Sequence, residues 1–183
     1  MANLDDIIKW CDQTLQSAEF KDYAPNGLQI EGKQEVKRIV SAVTASETAI
    51  DAAIELGADL LLVHHGYFWK GEPYPITGMR GNRIKKLIQH DISLVAYHLP
   101  LDAHPALGNN AAIAELLGLH EIEALDSNER HPIGNIGYLK KVLTPEEFKN
   151  KLQQIFDFNI VHLAARKSNI QKVGFCTGGA QDF

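Results

Sequence analysis

Cysteine is scarce in this sequence of 183 residues, because only Cys11 and Cys176 occur, far apart and in no paired motif. A chain of this kind has no disulfide framework, as is typical of proteins that work in a reducing compartment. The N-terminus, MANLDDIIKW, lacks the basic start and apolar stretch of a secretory signal. We therefore expect a cytoplasmic protein.

Long apolar runs and an excess of basic residues are missing as well. The longest mainly apolar stretches, such as ADLLLV and ISLVAY, have the length of strands and are too short to span a bilayer. Acidic residues outnumber basic residues by 23 to 18, which gives a formal net charge of -5. An acidic chain has no overall attraction to nucleic acid or to an anionic membrane, so neither is expected as a partner.

Several catalytic signatures are also absent. The serine-hydrolase motif G-x-S-x-G does not occur, nor do the nucleotide-binding motifs G-x-G-x-x-G and G-x-x-x-x-G-K-[ST]. Cys11 falls on the apolar face of a predicted helix, and Cys176 has no neighbouring base in the sequence, so nothing supports a nucleophilic thiol. A metal-activated water is the simplest remaining nucleophile.

What the chain does contain is the composition of a globular protein, with 45% apolar and 22% charged residues. The segment from Asn3 to about Gln16 has one apolar helical face, with Asn3 as a candidate N-cap. After it, the strand patterns RIVSAVTA, ADLLLVHH and ISLVAYHL alternate with the helix patterns SETAIDAAIELG, RIKKLIQH and NNAAIAELLG. This alternation predicts an α/β fold with a largely parallel sheet flanked by helices.

The second part of the chain changes character. It reads as the strand IGNIGYLKKVL, the helix TPEEFKNKLQQIF with Thr144 as N-cap, and the strands NIVHLAA and QKVGFC. The polar stretch SNERHP predicts a boundary between a metal-binding α/β lobe over residues 1–126 and a second α/β lobe over residues 133–183. The chain stops soon after the turn-like TGG, so we expect the second lobe to be truncated.

Adjacent histidines in VHHGYFWKGE are the first sign of chemistry. Ligands bind at the carboxyl ends of strands in parallel sheets, and His64 and His65 end one predicted strand while His98 ends the next. Neighbouring side chains on a strand point to opposite faces, so both histidines serve one cleft only if the strand end twists or bulges. A single histidine is more often an ordinary polar residue than a ligand. His98 has three readings: a ligand, a residue that orients a ligand, or a proton shuttle.

A second cluster lies in YHLPLDAHPALGNN, which adds Asp102 and His104. Imidazole and carboxylate are natural ligands of Zn, Mn, Fe or Ni, and a site that mixes them can hold two divalent ions. Asn109 or Asn110 is a better N-cap for the following helix than Asp102, which leaves Asp102 available for another role. We expect His104 to be exposed in a loop.

Aromatic residues follow the histidine pair. Tyr67, Phe68 and Trp69 are expected to cover or line the site, either as packing or as a grip on a planar substrate. Lys70 is either a phosphate-binding cation or a solvated charge. The turn at Thr177–Gly179 is a weak candidate for anion binding.

The segments DYAPNGLQIEG, VTAS, GADLLLVHHGYFWKGE, HLPLDAHPALGNNAAIAELLG and GFCTGGAQDF together closely resemble the NIF-three-like family, in its bacterial YbgI-like branch of GTP cyclohydrolase I type 2 homologues. The resemblance implies a NIF-three-like fold of two interleaved α/β lobes and a toroidal homohexamer with a dinuclear metal site. It also implies that His64, His65 and Asp102 are metal ligands, and that His98 lies close by without being a firm ligand.

The other ligands of that family belong to a C-terminal G-H-x-x-x-E-like segment, which these residues do not contain. We therefore expect weak or absent binding of a second ion. The expected function is that of a metal-dependent hydrolase acting on a nucleotide-like or phosphorylated small molecule. The alternative is a non-catalytic, metal-dependent adaptor or regulatory protein that acts through protein partners.

Overall fold

The computed structural model describes residues 1–128, 130–163 and 169–179. The chain divides into two compact units, Met1–Leu101 and Asp102–Phe183. The predicted α/β class is confirmed, while the boundary between two lobes predicted at residues 127–132 stays a prediction. The elements are β1 (Ala2–Asn3), α1 (Leu4–Leu15), β2 (Gly27–Ile30), β3 (Glu35–Val36), β4 (Ile39–Thr44), α2 (Glu47–Glu55), β5 (Leu60–His65), α3 (Gly78–Gln89), β6 (Ser93–Ala96), α4 (Leu99–Ala103), α5 (Asn109–Leu117), β7 (Leu119–Ala124), β8 (Gly134–Leu143), α6 (Pro145–Phe156) and β9 (Ile170–Cys176).

The first unit is organised around a four-stranded sheet with the order β2-β6-β5-β4. The strands β4, β5 and β6 are parallel, and β2 joins β6 in the antiparallel direction. The prediction of a largely parallel sheet therefore holds for three strands of this sheet. Because β5 and β6 align Leu60 with Ser93 and Val63 with Ala96, their carboxyl ends reach the same edge.

Apolar side chains cover both faces of this sheet, which is why its central strands read as continuous hydrophobic runs. One cluster contains Leu4 and Cys11 of α1 with Leu60 and Val95 of the sheet, as the apolar helical face predicts. The larger cluster on the other face is made by Ala45, Ile50, Ala53, Leu61, Val63, Ile84, Leu87 and Leu94, among others. Burying each Leu, Ile or Val side chain contributes about 1.5–3 kcal/mol, which helps to fix the strand ends that carry the site.

Two helices of this unit, α1 and α2, begin with a side-chain N-cap. The Asn3 side chain accepts a hydrogen bond from the backbone N–H of Asp5 at 2.9 Å, and the Ser46 side chain accepts one from Ala49 at 3.2 Å. Both residues are therefore N-caps, and Asn3 was predicted as one.

The second unit contains an antiparallel sheet with the order β7-β8-β9, together with α5 and α6. The helix α6 begins with the predicted Thr144 cap, which forms a capping box with Glu147 and precedes Pro145 at the first helical position. The parallel arrangement predicted from the first half does not extend to this sheet.

Several local predictions are wrong. Residues 159–163 of the predicted strand NIVHLAA form no strand, and its last two residues lie outside the described ranges. The N-cap of α5 is Gly108, without a side-chain capping bond, because Asn109 and Asn110 make other hydrogen bonds. The strand β7 was not predicted, because a bulge between His120 and Glu123 interrupts the alternation of apolar and polar residues that marks a strand.

No helix within the described parts of the chain is both long and apolar enough to cross a lipid bilayer.

Candidate metal centre

The two adjacent histidines are the last residues of β5, and their side chains lie close together. Its apolar residues Leu60, Leu61 and Val63 are buried between the neighbouring strands, whereas His64 and His65 at its end are half-buried. The two imidazole rings lie 4.4 Å apart between centroids, with planes inclined by 44°. Neighbouring side chains that would diverge on a flat strand therefore converge at this strand end.

His98 joins the pair from the segment just beyond β6. Its ring centroid lies 5.0 Å from that of His64 and 5.7 Å from that of His65. One potential ligand nitrogen from each of the three rings lies within 4.8 Å of the others. The first unit thus contains a potential metal site of three histidines. One of them is His98, for which a ligand role was only one of three readings of the sequence and which the family resemblance placed near the metal without making it a firm ligand.

Hydrogen bonds to the backbone and to a carboxylate fix two of these rings. His64 Nδ1 lies 2.9 Å from the carbonyl oxygen of Tyr97, and His98 Nδ1 lies 2.7 Å from Oδ1 of Asp22. Both partners are acceptors at neutral pH, so Nδ1 donates in each case and the neutral ring carries its lone pair on Nε2. Metal-ligating histidines generally bind the ion through one ring nitrogen and donate a hydrogen bond from the other, as Nδ1 does here.

His65 has a less restrictive partner. Its Nδ1 lies 3.1 Å from the hydroxyl oxygen of Thr44, which is aligned with it across the parallel pair β4 and β5. A hydroxyl group both donates and accepts, so this contact is compatible with either tautomer of His65.

Asp22 is the residue of this candidate site that sequence reasoning missed. Its side chain is only 3% exposed, and besides His98 it accepts hydrogen bonds from Asn26 Nδ2 and from the backbone N–H of Leu99. Burial by itself raises the pKa of this carboxyl, but the hydrogen bonds from His98, Asn26 and Leu99 outweigh it and lower the pKa to about 2. Asp22 is therefore an anion at neutral pH, and it holds the His98 ring in one orientation.

The only sequence signal for Asp22 was its place in DYAPNG, which stands 76 residues before His98. No periodicity or spacing relates two residues at such a distance, so the pairing needed the structure.

Trp69 covers one side of the histidine cluster, as predicted for the aromatic segment. Its ring lies 4.9 Å from that of His98 in an edge contact and 5.9 Å from that of His65. The indole Nε1–H donates to the carbonyl oxygen of Gly66 at 3.2 Å. Tyr67 has a different role, because it is buried and its hydroxyl donates to the carbonyl of Ala45 at 2.6 Å.

The glycine that follows the histidine pair is required by close packing. A Cβ atom at Gly66 would clash with Oε1 of Gln29 and would lie 2.8 Å from the Cβ of Ala96. The Gln29 side chain is itself held, since it accepts from the N–H of Tyr67 and donates to the carbonyl of Pro25. The HHG pattern therefore combines two candidate ligands with the one residue that lets the chain turn against β2 and β6.

Asp102, predicted as a metal ligand, is the first residue of the second unit and is 1% exposed. Its Oδ1 accepts hydrogen bonds from Asn109 Nδ2 at 2.8 Å and from the Thr177 hydroxyl at 2.6 Å. The backbone N–H of Thr177 donates to Asn110, so this N–H of the TGG turn is used within the protein. The carboxylate of Asp102 is firmly oriented, and its role as a ligand stays a prediction.

Two further residues of the second unit have structural roles. His104, expected to be exposed, is half-buried, and its Nδ1 accepts from the backbone N–H groups of Ala106 and Leu107. Burial and the charge of Asp102 raise the pKa of the Cys176 thiol. A thiol that resists ionisation is a poor nucleophile, in agreement with the sequence argument.

The family model for Duf34/NIF3 (NGG1p interacting factor 3) matches residues 2–183. The chain belongs to this family. Among curated NIF3 relatives, a GTP cyclohydrolase 1 type 2 homolog of Vibrio cholerae is 52% identical over 176 residues, covering 94% of this chain and 69% of the relative. A homolog of the same name from Neisseria meningitidis serogroup A is 46% identical, covering 97% of this chain and 70% of the relative.

Solved structures agree with this NIF3 assignment. The protein ybgI, described as being of unknown function, matches with a TM-score of 0.92 and 42% identity, over 99% of this chain and 72% of that chain. A protein from Thermus thermophilus matches with a TM-score of 0.72 and 35% identity, over 83% of this chain and 60% of that chain. The family predicted from the motifs is therefore confirmed.

Proposed function

We propose that this NIF3-family protein is a metal-dependent hydrolase whose metal is held through His64, His65 and His98. The observation that carries the proposal is the convergence of three ring nitrogens within 4.8 Å of one another. Imidazole nitrogen suits Zn, Fe and Ni, and added carboxylate oxygen suits Mn, so the donor set fits a divalent transition ion. A second, more weakly held ion, with Asp102 as a further ligand, is the finer form of the proposal.

A divalent ion bound there would supply a Lewis acid that lowers the pKa of a bound water toward neutrality. The protein's own contribution is to hold the donors in place. Asp22 keeps the proton of His98 on Nδ1, the carbonyl of Tyr97 does the same for His64, and the Trp69 ring limits access of solvent to His98. Two alternative roles for His98 fit this scheme: it is either the third metal ligand or a proton-transfer residue.

The proposed substrate is a nucleotide-like or phosphorylated small molecule. Curated relatives carry the name GTP cyclohydrolase 1 type 2 homolog, which supports a nucleotide-like substrate for this chain by similarity alone. The reaction we propose is hydrolysis. The same proposal includes a homo-oligomer, with a hexamer as the expected state of the full-length protein, and a cytoplasmic location.

The test is metal analysis combined with a hydrolysis screen. The wild-type chain is loaded with Zn²⁺, Mn²⁺, Fe²⁺ or Ni²⁺, passed through gel filtration and assayed for metal content and for hydrolysis of nucleotides and phosphoesters. We expect His64→Ala and His65→Ala to lose both metal and activity, while His90→Ala, which changes an exposed histidine after α3, retains both. Full metal retention in a His64→Ala/His65→Ala double variant would contradict the proposal.

The same measurements resolve the finer points. A His98→Ala variant that loses metal supports a ligand role, and one that keeps metal but loses hydrolysis supports proton transfer. The metal content of Asp102→Asn, compared with that of wild type, shows whether Asp102 helps to hold a second ion. The mass of the protein in solution, measured by light scattering, tests the hexamer.

A metal-dependent adaptor is the second candidate function. It is favoured by apolar side chains exposed on the segment after Trp69, where Tyr74 is 99%, Ile76 52% and Met79 64% exposed. The family description names an interacting factor, which refers to a protein partner. A metal-loaded protein that hydrolyses nothing, yet binds a protein partner in a manner lost in Tyr74→Ala/Met79→Ala, would favour the adaptor.

A further inference from the structure

A surface cavity of about 540 Å³, open to solvent, lies within the first unit next to the histidine cluster. Its size falls within the range of roughly 300–1,000 Å³ that is usual for small-molecule sites. Six of its lining residues carry the argument: Asp12, Ser17, Phe20, Tyr23, Phe68 and Lys70.

The cavity and the histidine cluster share a wall. Asp22 and Asn26 both line the cavity, and both contact His98: Asp22 through the ring, and Asn26 by accepting from the backbone N–H of His98 at 2.7 Å. Phe68 and Lys70, which also line the cavity, are the sequence neighbours of Trp69, whose ring contacts His98. A ligand in the cavity is therefore separated from the cluster by a single layer of side chains.

Asp12 provides an acceptor that the fold leaves available. Its Oδ1 accepts from the Ser17 hydroxyl at 2.7 Å and from the Tyr97 hydroxyl at 3.0 Å, which fixes the carboxylate at the cavity wall. Within the described residues, no hydrogen bond reaches Asp12 Oδ2. The neighbouring carboxylate of Asp22 differs, because both of its oxygens accept from protein donors.

Lys70 also lines the cavity and carries the opposite charge. Its backbone N–H donates to the carbonyl of Tyr23 at 2.6 Å, which ties the two cavity-lining segments together. Among the described residues the ammonium group of Lys70 takes part in no salt bridge. Phe68, two residues earlier, has a backbone φ of 66°, an unusual value for a bulky residue that presents its ring from a strained turn.

We propose that this cavity binds the base and phosphate of a mononucleotide-type ligand, namely a planar nitrogen heterocycle with an amino group and an anionic arm. The amino group donates to Asp12 Oδ2, the anionic arm pairs with Lys70, and the ring packs against Phe20, Tyr23 and Phe68. The inference rests on the proposed function, since it names the substrate class of that hydrolase. Binding in the cavity does not itself require a metal.

The test is isothermal titration calorimetry on the full chain after treatment with a chelator, with adenosine 5′-monophosphate and guanosine 5′-monophosphate as probes. We expect at least one of them to bind. Asp12→Asn keeps the Oδ1 acceptor but replaces Oδ2 by a donor, and Lys70→Met keeps the length of the side chain without its charge. Each is expected to weaken binding about tenfold, as is usual when one charge-assisted hydrogen bond is lost.

Two ligand comparisons and one control variant sharpen the result. Purine riboside 5′-monophosphate, which lacks the amino group of the adenine nucleotide, is expected to bind equally to wild type and Asp12→Asn. Adenosine, which lacks the phosphate, is expected to bind equally to wild type and Lys70→Met. The control Lys37→Met removes an exposed lysine that pairs with Glu35 at 3.7 Å, and it is expected to bind both nucleotides like wild type.

Absence of binding by both nucleotides, or equal affinity in wild type, Asp12→Asn and Lys70→Met, would overturn the cavity assignment. Loss of binding in His64→Ala together with normal binding in the two cavity variants would do the same. If nucleotides bind through the cavity but no metal-dependent hydrolysis is ever detected, the proposed function fails while the cavity assignment stands.

Discussion

His98 Nδ1 and Asp22 Oδ1 lie 2.7 Å apart and join a buried carboxylate to the ring that completes the histidine cluster. Because Asp22 also accepts hydrogen bonds from Asn26 and from the backbone of Leu99, its position is determined independently of His98. The carboxylate therefore acts on the ring as a fixed support. A metal-binding histidine supported in this way loses little entropy on binding and keeps one tautomer.

Asp22→Asn is expected to lower metal affinity by about 10- to 100-fold, the usual cost of removing a hydrogen-bond partner behind a metal-binding histidine. The side chain keeps its shape, so the fold is preserved. Competition with a chromophoric chelator measures the affinity, and the ring ¹⁵N shifts of His98 report its tautomer. The exposed Asp6→Asn is the control. Wild-type affinity together with an unchanged His98 tautomer would show that Asp22 has no positioning role.

Trp69 provides an optical probe of the site, because the protein has two tryptophans and the other, Trp10, lies on α1. In a Trp10→Phe background, Ni²⁺ or Co²⁺ is expected to quench the fluorescence of Trp69, whose ring is 4.9 Å from His98. In a Trp69→Phe background the signal of Trp10 is expected to stay constant. Equal quenching of both tryptophans would place the metal elsewhere.

Gly66→Ala is expected to destabilise the protein by about 1–3 kcal/mol, because overpacking displaces neighbouring groups. The new methyl group would press on Gln29, which holds the N–H of Tyr67, and on Ala96. Metal affinity is expected to fall as well, since the turn follows His65 directly. Urea unfolding and metal content measure the two effects. Gln29→Ala/Gly66→Ala is the informative companion, because it removes one of the two clashes.

The sequence was sufficient to locate His64, His65 and His98 at the ends of parallel strands, because strand order and hydrophobic pattern are local signals. It was not sufficient to identify Asp22, whose partner is far along the chain, or to assign Asn109, which satisfies Asp102 instead of capping α5. Asparagine is a favoured N-cap on average, but the buried carboxylate of Asp102 is a strong acceptor for the amide of Asn109 and draws this side chain away from the helix start. Such long-range choices depend on tertiary contacts.

Asp59 gives a prediction for acid stability. Its carboxylate accepts from the backbone N–H groups of Lys37 at 2.9 Å and Arg38 at 3.1 Å. The hydrogen bond from Lys37 is the main cause that lowers the pKa of Asp59 below its ordinary value of 3.8; burial opposes it, and Arg38 and Lys33 add to it. Since the native pKa is below the unfolded one, this stabilisation is present above about pH 4 and is lost as the pH falls through the native pKa.

Asp59→Asn is therefore expected to cost roughly 1–2 kcal/mol of unfolding free energy at neutral pH, through the weakening of hydrogen bonds to a charged acceptor. The difference from wild type should be as large at about pH 5 as at neutrality, and it should shrink when urea unfolding is repeated at about pH 3, because the stabilisation is lost only below the unfolded pKa. Glu115→Gln, which changes an exposed carboxylate of α5, serves as the control. A difference between Asp59→Asn and wild type that is as large at the lowest pH as at neutrality would show that the charge of Asp59 is not what stabilises this turn.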